Sequence, residues 1–333
     1  MYIGLKNRFA MDEHSGPINA FKYLYPPIEP FQKRMLSVSD GHEIYYEQVG
    51  NPSGLPVVVL HGGPGGGCNS SMRRYFNPKI YRVILFDQRG CGRSRPHSST
   101  EFNTTWHLVD DMERIRIALD IDSWIVFGGS WGATLGLIYA QSYPHRVKNL
   151  VLRGVFAMTQ DEIDWFYAGG AGRFMPEQWR SFQSVIPREE RDDMIEAYHR
   201  RLFSGNTMEE SLYSYTWTRW ESALATIRAN ENSGNCPNSY ARAFARIECH
   251  YFKNGGFLET DGHIYDNIDK IADISGVIVQ GRYDLICPPS TAFRLSELWR
   301  KARLIMVPLA GHALSEPGIT AELVKTMDAL GKG

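Results

Sequence analysis

The chain has 333 residues, with 43% hydrophobic and 22% charged residues, which suits a globular protein of one large domain or two smaller ones. A formal net charge of −1 gives no electrostatic case for nucleic acid or a membrane surface, and no apolar run approaches the roughly 18 residues a spanning helix needs. The five cysteines are scattered, odd in number and without a C-x-x-C pair, which argues against a disulfide framework or zinc site and for a reducing compartment.

The N-terminal stretch MYIGLKNRFAMDEHSGPINAF lacks a long apolar region and does not read as a secretory signal. YPPIEPF, residues 25 to 31, is predicted to be extended, because three prolines preclude a helix. MLSVSDGHEIYYEQVGNP then reads as two strands around an Asp-Gly turn. Six short apolar runs follow, each ending in a glycine-rich or polar break: 57–60, 83–86, 124–127, 150–152, 277–279 and 304–307. Continuous apolar runs suit strands buried on both faces of a parallel sheet. Helical stretches such as Thr105 to Leu119 separate several of them, which predicts an α/β fold with flanking helices.

Residues 155 to about 270 break this pattern. They contain Trp165, Trp179, Trp217 and Trp220 in helix-like spacing, with few clean β runs. Because β-rich runs resume at Val277, the segment is predicted to be a mainly helical cap, 155–269, inserted into a core of 1–154 and 270–333.

GGSWG, residues 128 to 132, satisfies G-x-S-x-G between an apolar run and a helix-compatible stretch. Small neighbours permit a tight strand-to-helix turn that lifts the Ser130 hydroxyl above the strand ends, where the helix N-terminus favours negative charge. HGGPGGG, residues 61 to 67, follows another strand and can aim backbone N–H groups at an oxyanion, with Gly63 and Trp131 as donors. The rival reading, a dinucleotide loop, fails because G-x-G-x-x-G started at Gly63 ends on Cys68. Asp284 in GRYD and His312 in AGH each follow a β run, and the chain order Ser130, Asp284, His312 is that of one hydrolase fold. Together they predict a nucleophile, a base and an acid that orients the base.

The motifs YPPIEPF, HGGPGGG, FDQRGCGRS, GGSWGATLGLIYAQSYP, LRGVF, WTRWES, ARIECHYF, GRYDLICPP and AGHALSEPG make the sequence resemble the proline iminopeptidases of the α/β-hydrolase fold from about Tyr25 to about residue 320. The combination of GGSWG, W-x-x-WE and ARIE-x-HYF carries most of that resemblance. It implies a cytoplasmic serine peptidase without cofactor or metal, acting on peptides with an N-terminal proline. Glu221 and Glu248 would then bind the free amino terminus, Phe156, Phe166 and Phe252 would line the proline slot, and Arg153 would lie near the pocket. Cys287, three residues after Asp284, is predicted to make thiol reagents inhibitory by steric blockage, with Cys249 the next candidate. ARIECHYF departs from the family pattern at Cys249, where asparagine is usual. Read without the resemblance, Glu221 and Glu248 are helix-surface partners of Arg219 and Arg246. A general esterase, amidase or acyltransferase of the same fold remains the alternative, and no oligomeric state is read from the sequence.

Overall fold

The computed structural model describes residues 20–227 and 236–332; the N-terminal stretch of the sequence reading lies almost wholly outside them. β1 (Gln32–Ser37) and β2 (Glu43–Gly50) pair antiparallel, joined by a turn whose Asp40 and Gly41 have left-handed φ of 61° and 75°. YPPIEPF runs into β1 without regular structure, and Phe31 N–H donates to Gln48 O at 3.0 Å. β3 (Leu55–Leu60), β4 (Tyr81–Phe86), α1 (Thr105–Ala118), β5 (Trp124–Ser130), α2 (Trp131–Ser142) and β6 (Val147–Val155) follow.

Five α-helices come next: α3 (Gln160–Tyr167), α4 (Pro176–Ser184), α5 (Met194–Leu202), α6 (Thr207–Leu224) and α7 (Asn238–Lys253), then the single turn α8 (His263–Asp266). The chain returns through β7 (Ser275–Gly281), α9 (Pro289–Leu298), β8 (Ala302–Val307) and α10 (Pro317–Leu330). The strand order is β1-β2-β4-β3-β5-β6-β7-β8, with β2 antiparallel to β4 and all later pairs parallel. All six apolar runs of the sequence are thus strands.

The runs are continuous because each strand feeds two cores. Val58, Leu60, Ile84, Phe86, Val126, Leu150, Leu152 and Ile278 point to one face, while Val57, Val59, Val83, Leu85, Ile125, Phe127, Val151 and Val279 point to the other. Each such side chain, fully buried, contributes about 1.5–3 kcal/mol. The first face does not stop at the sheet. Its apolar cluster continues through Phe156 and Phe166 into Phe182, Tyr198, Trp217 and Trp220 on the helices between β6 and β7. β6 and β7 are sheet neighbours, from Asn149↔Ser275 to Arg153↔Val279, so those helices leave and rejoin the sheet at adjacent places.

Candidate active site

Ser130 is the last residue of β5 and the N-cap of α2, with φ 57° and ψ −129°. A non-glycine residue rarely adopts this conformation, and here it raises the side chain out of the turn. The turn closes only because Gly132 has no side chain: a Cβ there would collide with the carbonyl oxygen of Leu60 on the neighbouring strand. Gly63, of the glycine-rich loop after β3, lines the same cavity as Ser130. Trp131 supplies the first N–H of α2, one of the donors a helix leaves unpaired.

His312 and Asp284 arrive from loops after β8 and β7. His312 Nδ1 lies 2.8 Å from Asp284 Oδ2. The other carboxylate oxygen accepts Ile286 N–H at 3.0 Å and Cys287 N–H at 2.8 Å, while Gln280 Nε2 donates to Oδ2 at 3.1 Å. Gly154 makes room for the pair. Its φ is 55°, and a Cβ there would sit 2.9 Å from His312 Cε1 and 3.0 Å from Nδ1. Thus the glycine of LRGVF lets the end of β6 pass beneath the imidazole.

One arrangement differs from the sequence expectation. Among the described residues, Ser130 Oγ and His312 share no hydrogen bond; Arg153 Nη1 instead lies 3.0 Å from His312 Nε2 and donates to His312 O at 2.9 Å. A guanidinium can only donate, so Nε2 presents its lone pair and Nδ1 carries the proton toward Asp284. The ring is therefore in the tautomer a general base needs. Burial holds the His312 pKa below its ordinary value, Asp284 opposes that, and Arg153 adds to it. Arg153 does not line the cavity where the phenylalanines stand; it lines the adjoining cleft with His312, Thr218 and Tyr240. Burial also lowers the pKa of Arg153 itself.

The cavity above Ser130 brings Phe156, Phe166, Phe252, Glu221, Glu248 and Cys287 together. All three phenylalanines are buried, and Phe156 meets Phe252 edge to face at 5.9 Å. Glu221 comes from α6 and Glu248 from α7, two helices that pack along each other. Glu248 Oε2 accepts Trp217 Nε1–H at 2.6 Å, and Glu221 Oε1 accepts the Tyr167 hydroxyl at 3.2 Å. Neither carboxylate pairs with an arginine among the described residues; Arg246 reaches Glu210 instead, at 3.3 Å.

The two carboxyl groups line the same cavity, and each raises the cost of a charge on the other's site. Burial pushes Glu221 up to about 7, and burial plus the Glu221 charge pushes Glu248 well above the ordinary carboxyl range. Two carboxylates in one buried space do not both ionise readily, which keeps each above its ordinary range. A cationic ligand would relieve the strain of a second charge.

A model of the α/β hydrolase fold matches residues 56–318. A proline iminopeptidase of Arabidopsis thaliana is 51% identical over 304 residues, covering 90% of this chain and 80% of its own. A probable proline iminopeptidase of Leptolyngbya boryana is 50% identical over 309 residues, covering 92% of this chain and 96% of its own. The chain belongs to the proline iminopeptidase family. Membership makes it an enzyme of the α/β-hydrolase fold, a fold it shares with the crystal structure of the proline iminopeptidase from Mycobacterium smegmatis (TM-score 0.58, 21% identity, 90% of this chain and 99% of that one).

Sequence reasoning missed several residues around this candidate site. Glu162, itself buried, lines the cavity as a third carboxylate, and its oxygens accept the N–H groups of Ala157 and Thr159 and the hydroxyls of Thr159 and Thr291. Thr159 and Glu162 form a capping box at the start of α3, and the T-x-x-E spacing that announces it is present in TQDE. Tyr167, Trp217 and Gln280 have no comparable local signal. Their importance comes from what they donate to.

Proposed function

We propose that this protein releases an N-terminal proline from peptides by way of a prolyl-enzyme ester. The observation that carries the reading is the composition of one cavity: a strained serine, a glycine-loop backbone, two facing carboxylates and three phenylalanines. A pyrrolidine ring fits the apolar part of such a space. Its secondary ammonium has two N–H donors, and Glu221 and Glu248 offer an acceptor each as charge-assisted partners.

In the proposed reaction Ser130 Oγ bonds to the prolyl carbonyl carbon while its proton moves to His312 Nε2, the position Arg153 now faces. The guanidinium must swing off the ring nitrogen for that transfer. Asp284 stabilises the imidazolium, and the backbone N–H groups of Gly63 and Trp131 receive the developing oxyanion. The C–N bond then breaks, the proton passes to the leaving amine, and water hydrolyses the ester to free proline. Residues 155–269 act as a cap that brings the specificity groups over a hydrolase core. The five free cysteines support action in a reducing compartment, the cytoplasm.

The test compares hydrolysis of proline β-naphthylamide with that of its N-acetyl form. Rapid cleavage of the free form alone, lost in a folded Glu221→Gln/Glu248→Gln variant, is the expected result. Equal cleavage of both forms would overturn the aminopeptidase reading in favour of a general esterase or amidase.

A further inference from the structure

The carboxyl ends of β4, β3 and β5 lie side by side in the sheet, and one side chain crosses all three. Gln88 follows β4 and is 1% exposed. Its Nε2 donates to His61 O, just beyond β3, at 3.0 Å. Its Oε1 accepts the Trp131 indole N–H, at the start of α2, at 3.0 Å. Its backbone N–H donates to His61 Nε2, again at 3.0 Å. A glutamine carries a donor and an acceptor on one planar head, so it can hold two different partners at a fixed separation.

The glycine loop needs such an outside hold. Residues 62, 63, 65, 66 and 67 are glycines and have no side chains with which to anchor themselves. The loop is fastened by its flanks, through His61 Nδ1–H donating to Gly62 O at 2.9 Å and Cys68 N–H donating to Asp87 Oδ1 at 2.8 Å. His61 is therefore the hinge of the loop, and Gln88 grips it at both its carbonyl and its ring. On the other side the Trp131 ring is confined edge-on against Tyr251 at 4.9 Å, which keeps its N–H directed at Gln88.

We propose that Gln88 is a positioning residue that fixes the spacing between the Gly63 and Trp131 backbone donors of the oxyanion pocket, by tying His61 to the Trp131 side chain. The proposal rests on the reading of Ser130 as nucleophile and of those two N–H groups as oxyanion donors. Such donors act only when they sit about 2.7–3.1 Å from the oxyanion, a position the ground-state carbonyl does not occupy. A loosened clamp therefore weakens the transition state and leaves ring and ammonium binding alone.

The experiment uses Gln88→Leu, Trp131→Phe and the double variant, each checked for folding by circular dichroism. Three readouts are compared with wild type: kcat and KM on proline β-naphthylamide, inhibition by pyrrolidine, and inhibition by the boronic acid analogue of proline. Pyrrolidine fills the ring slot without a carbonyl, whereas the boronate forms a tetrahedral adduct on the serine. Gln88→Leu is expected to lower kcat by about 10- to 100-fold with KM changed less than about twofold. Boronate affinity should fall in parallel and pyrrolidine affinity should hold. Trp131→Phe should show the same split more weakly, and the double variant should lose little beyond Gln88→Leu, since both break one clamp.

A folded Gln88→Leu enzyme with kcat within about twofold of wild type would overturn the proposal. So would equal loss of pyrrolidine and boronate affinity, which marks a general structural role. If Gln88→Leu does not fold, Trp131→Phe decides alone, and unchanged boronate affinity there overturns the clamp. A Ser130→Ala variant that keeps its activity would overturn the nucleophile reading beneath it, whereas an inactive Ser130→Ala beside a normal Gln88→Leu would overturn the clamp only.

Discussion

The carboxyl edge of the sheet and the helices between β6 and β7 both place carboxylates at the candidate site, yet they treat them in opposite ways. Asp284, at the sheet edge, is surrounded by donors: two backbone N–H groups, the Gln280 amide and the His312 ring. Glu221 and Glu248, on α6 and α7, face one another with a single neutral donor each. The carboxylate proposed to orient the base is fully satisfied by donors, while the proposed ammonium-binding pair is left short of them. In the proposed reaction the sheet edge thus supplies fixed electrostatics, and the helices a deficit for the ligand to fill.

The hardest test of that contrast is on the sheet side. Ser130→Ala should lower kcat by at least about 10⁴-fold while leaving the thermal melt near wild type, since the side chain packs little. Activity close to wild type would remove the catalytic assignment altogether. On the helix side, Glu221→Gln and Glu248→Gln should each lower kcat/KM for free-amine substrates by about 30- to 1,000-fold. Neither should lower the residual hydrolysis of an N-acetylated substrate; a matching loss there would mean the glutamates serve the reaction rather than the amine.

The pH profile sharpens the same point. Glu221 is pushed up to about 7, whereas burial holds His312 below its ordinary value. The acid limb of kcat/KM on proline β-naphthylamide should therefore follow Glu221, rising between about pH 6 and pH 8. In Glu221→Gln the limb should move to lower pH and report His312, and an unmoved limb would contradict the assignment. Stability has the opposite sign. A raised carboxyl pKa means that the folded state holds its proton more tightly than the unfolded chain does. Stability then falls as pH rises from the ordinary carboxyl value through about 7. Glu221→Gln should melt a few degrees above wild type at pH 8, with the gap narrowing at pH 5.

The smallest effect concerns Cys287. It lines the cavity but is 2% exposed, and burial raises its thiol pKa well above the ordinary value. Thiol reagents should inhibit slowly, through bulk in the cavity, and Cys287→Ser should abolish most of that sensitivity. Cys249 is directed at Ile195 O on α5, at 3.5 Å, so its loss should matter little.

Much of this contrast could be read before the fold was known. The apolar runs of β3 to β7 announce themselves because a strand buried on both faces is apolar at successive positions. Ser130, Asp284 and His312 were legible because each lies in the short polar break that follows such a run. The helices between β6 and β7 were legible as a departure from β patterning, but what they bring to the cavity was not. Glu221 and Glu248 read locally as surface partners of arginines and become a pair only when α6 packs on α7. Gln88 stood inside a recognised motif, FDQRGCGRS, with nothing in its neighbours to distinguish it from a solvent-facing amide.

By itself the sequence determined the alternation of strands and helices, the strained corner at Ser130 and the order of the three proposed catalytic residues. These follow from side-chain periodicity and local backbone sterics, which act over a few residues. Tertiary structure alone decided that two glutamates 27 positions apart line one cavity. It also decided that Arg153 lies on the nitrogen of His312 and that one glutamine spans three strand ends. Those are properties of burial and approach between distant segments, and no local pattern encodes how far a buried charge stands from its nearest donor.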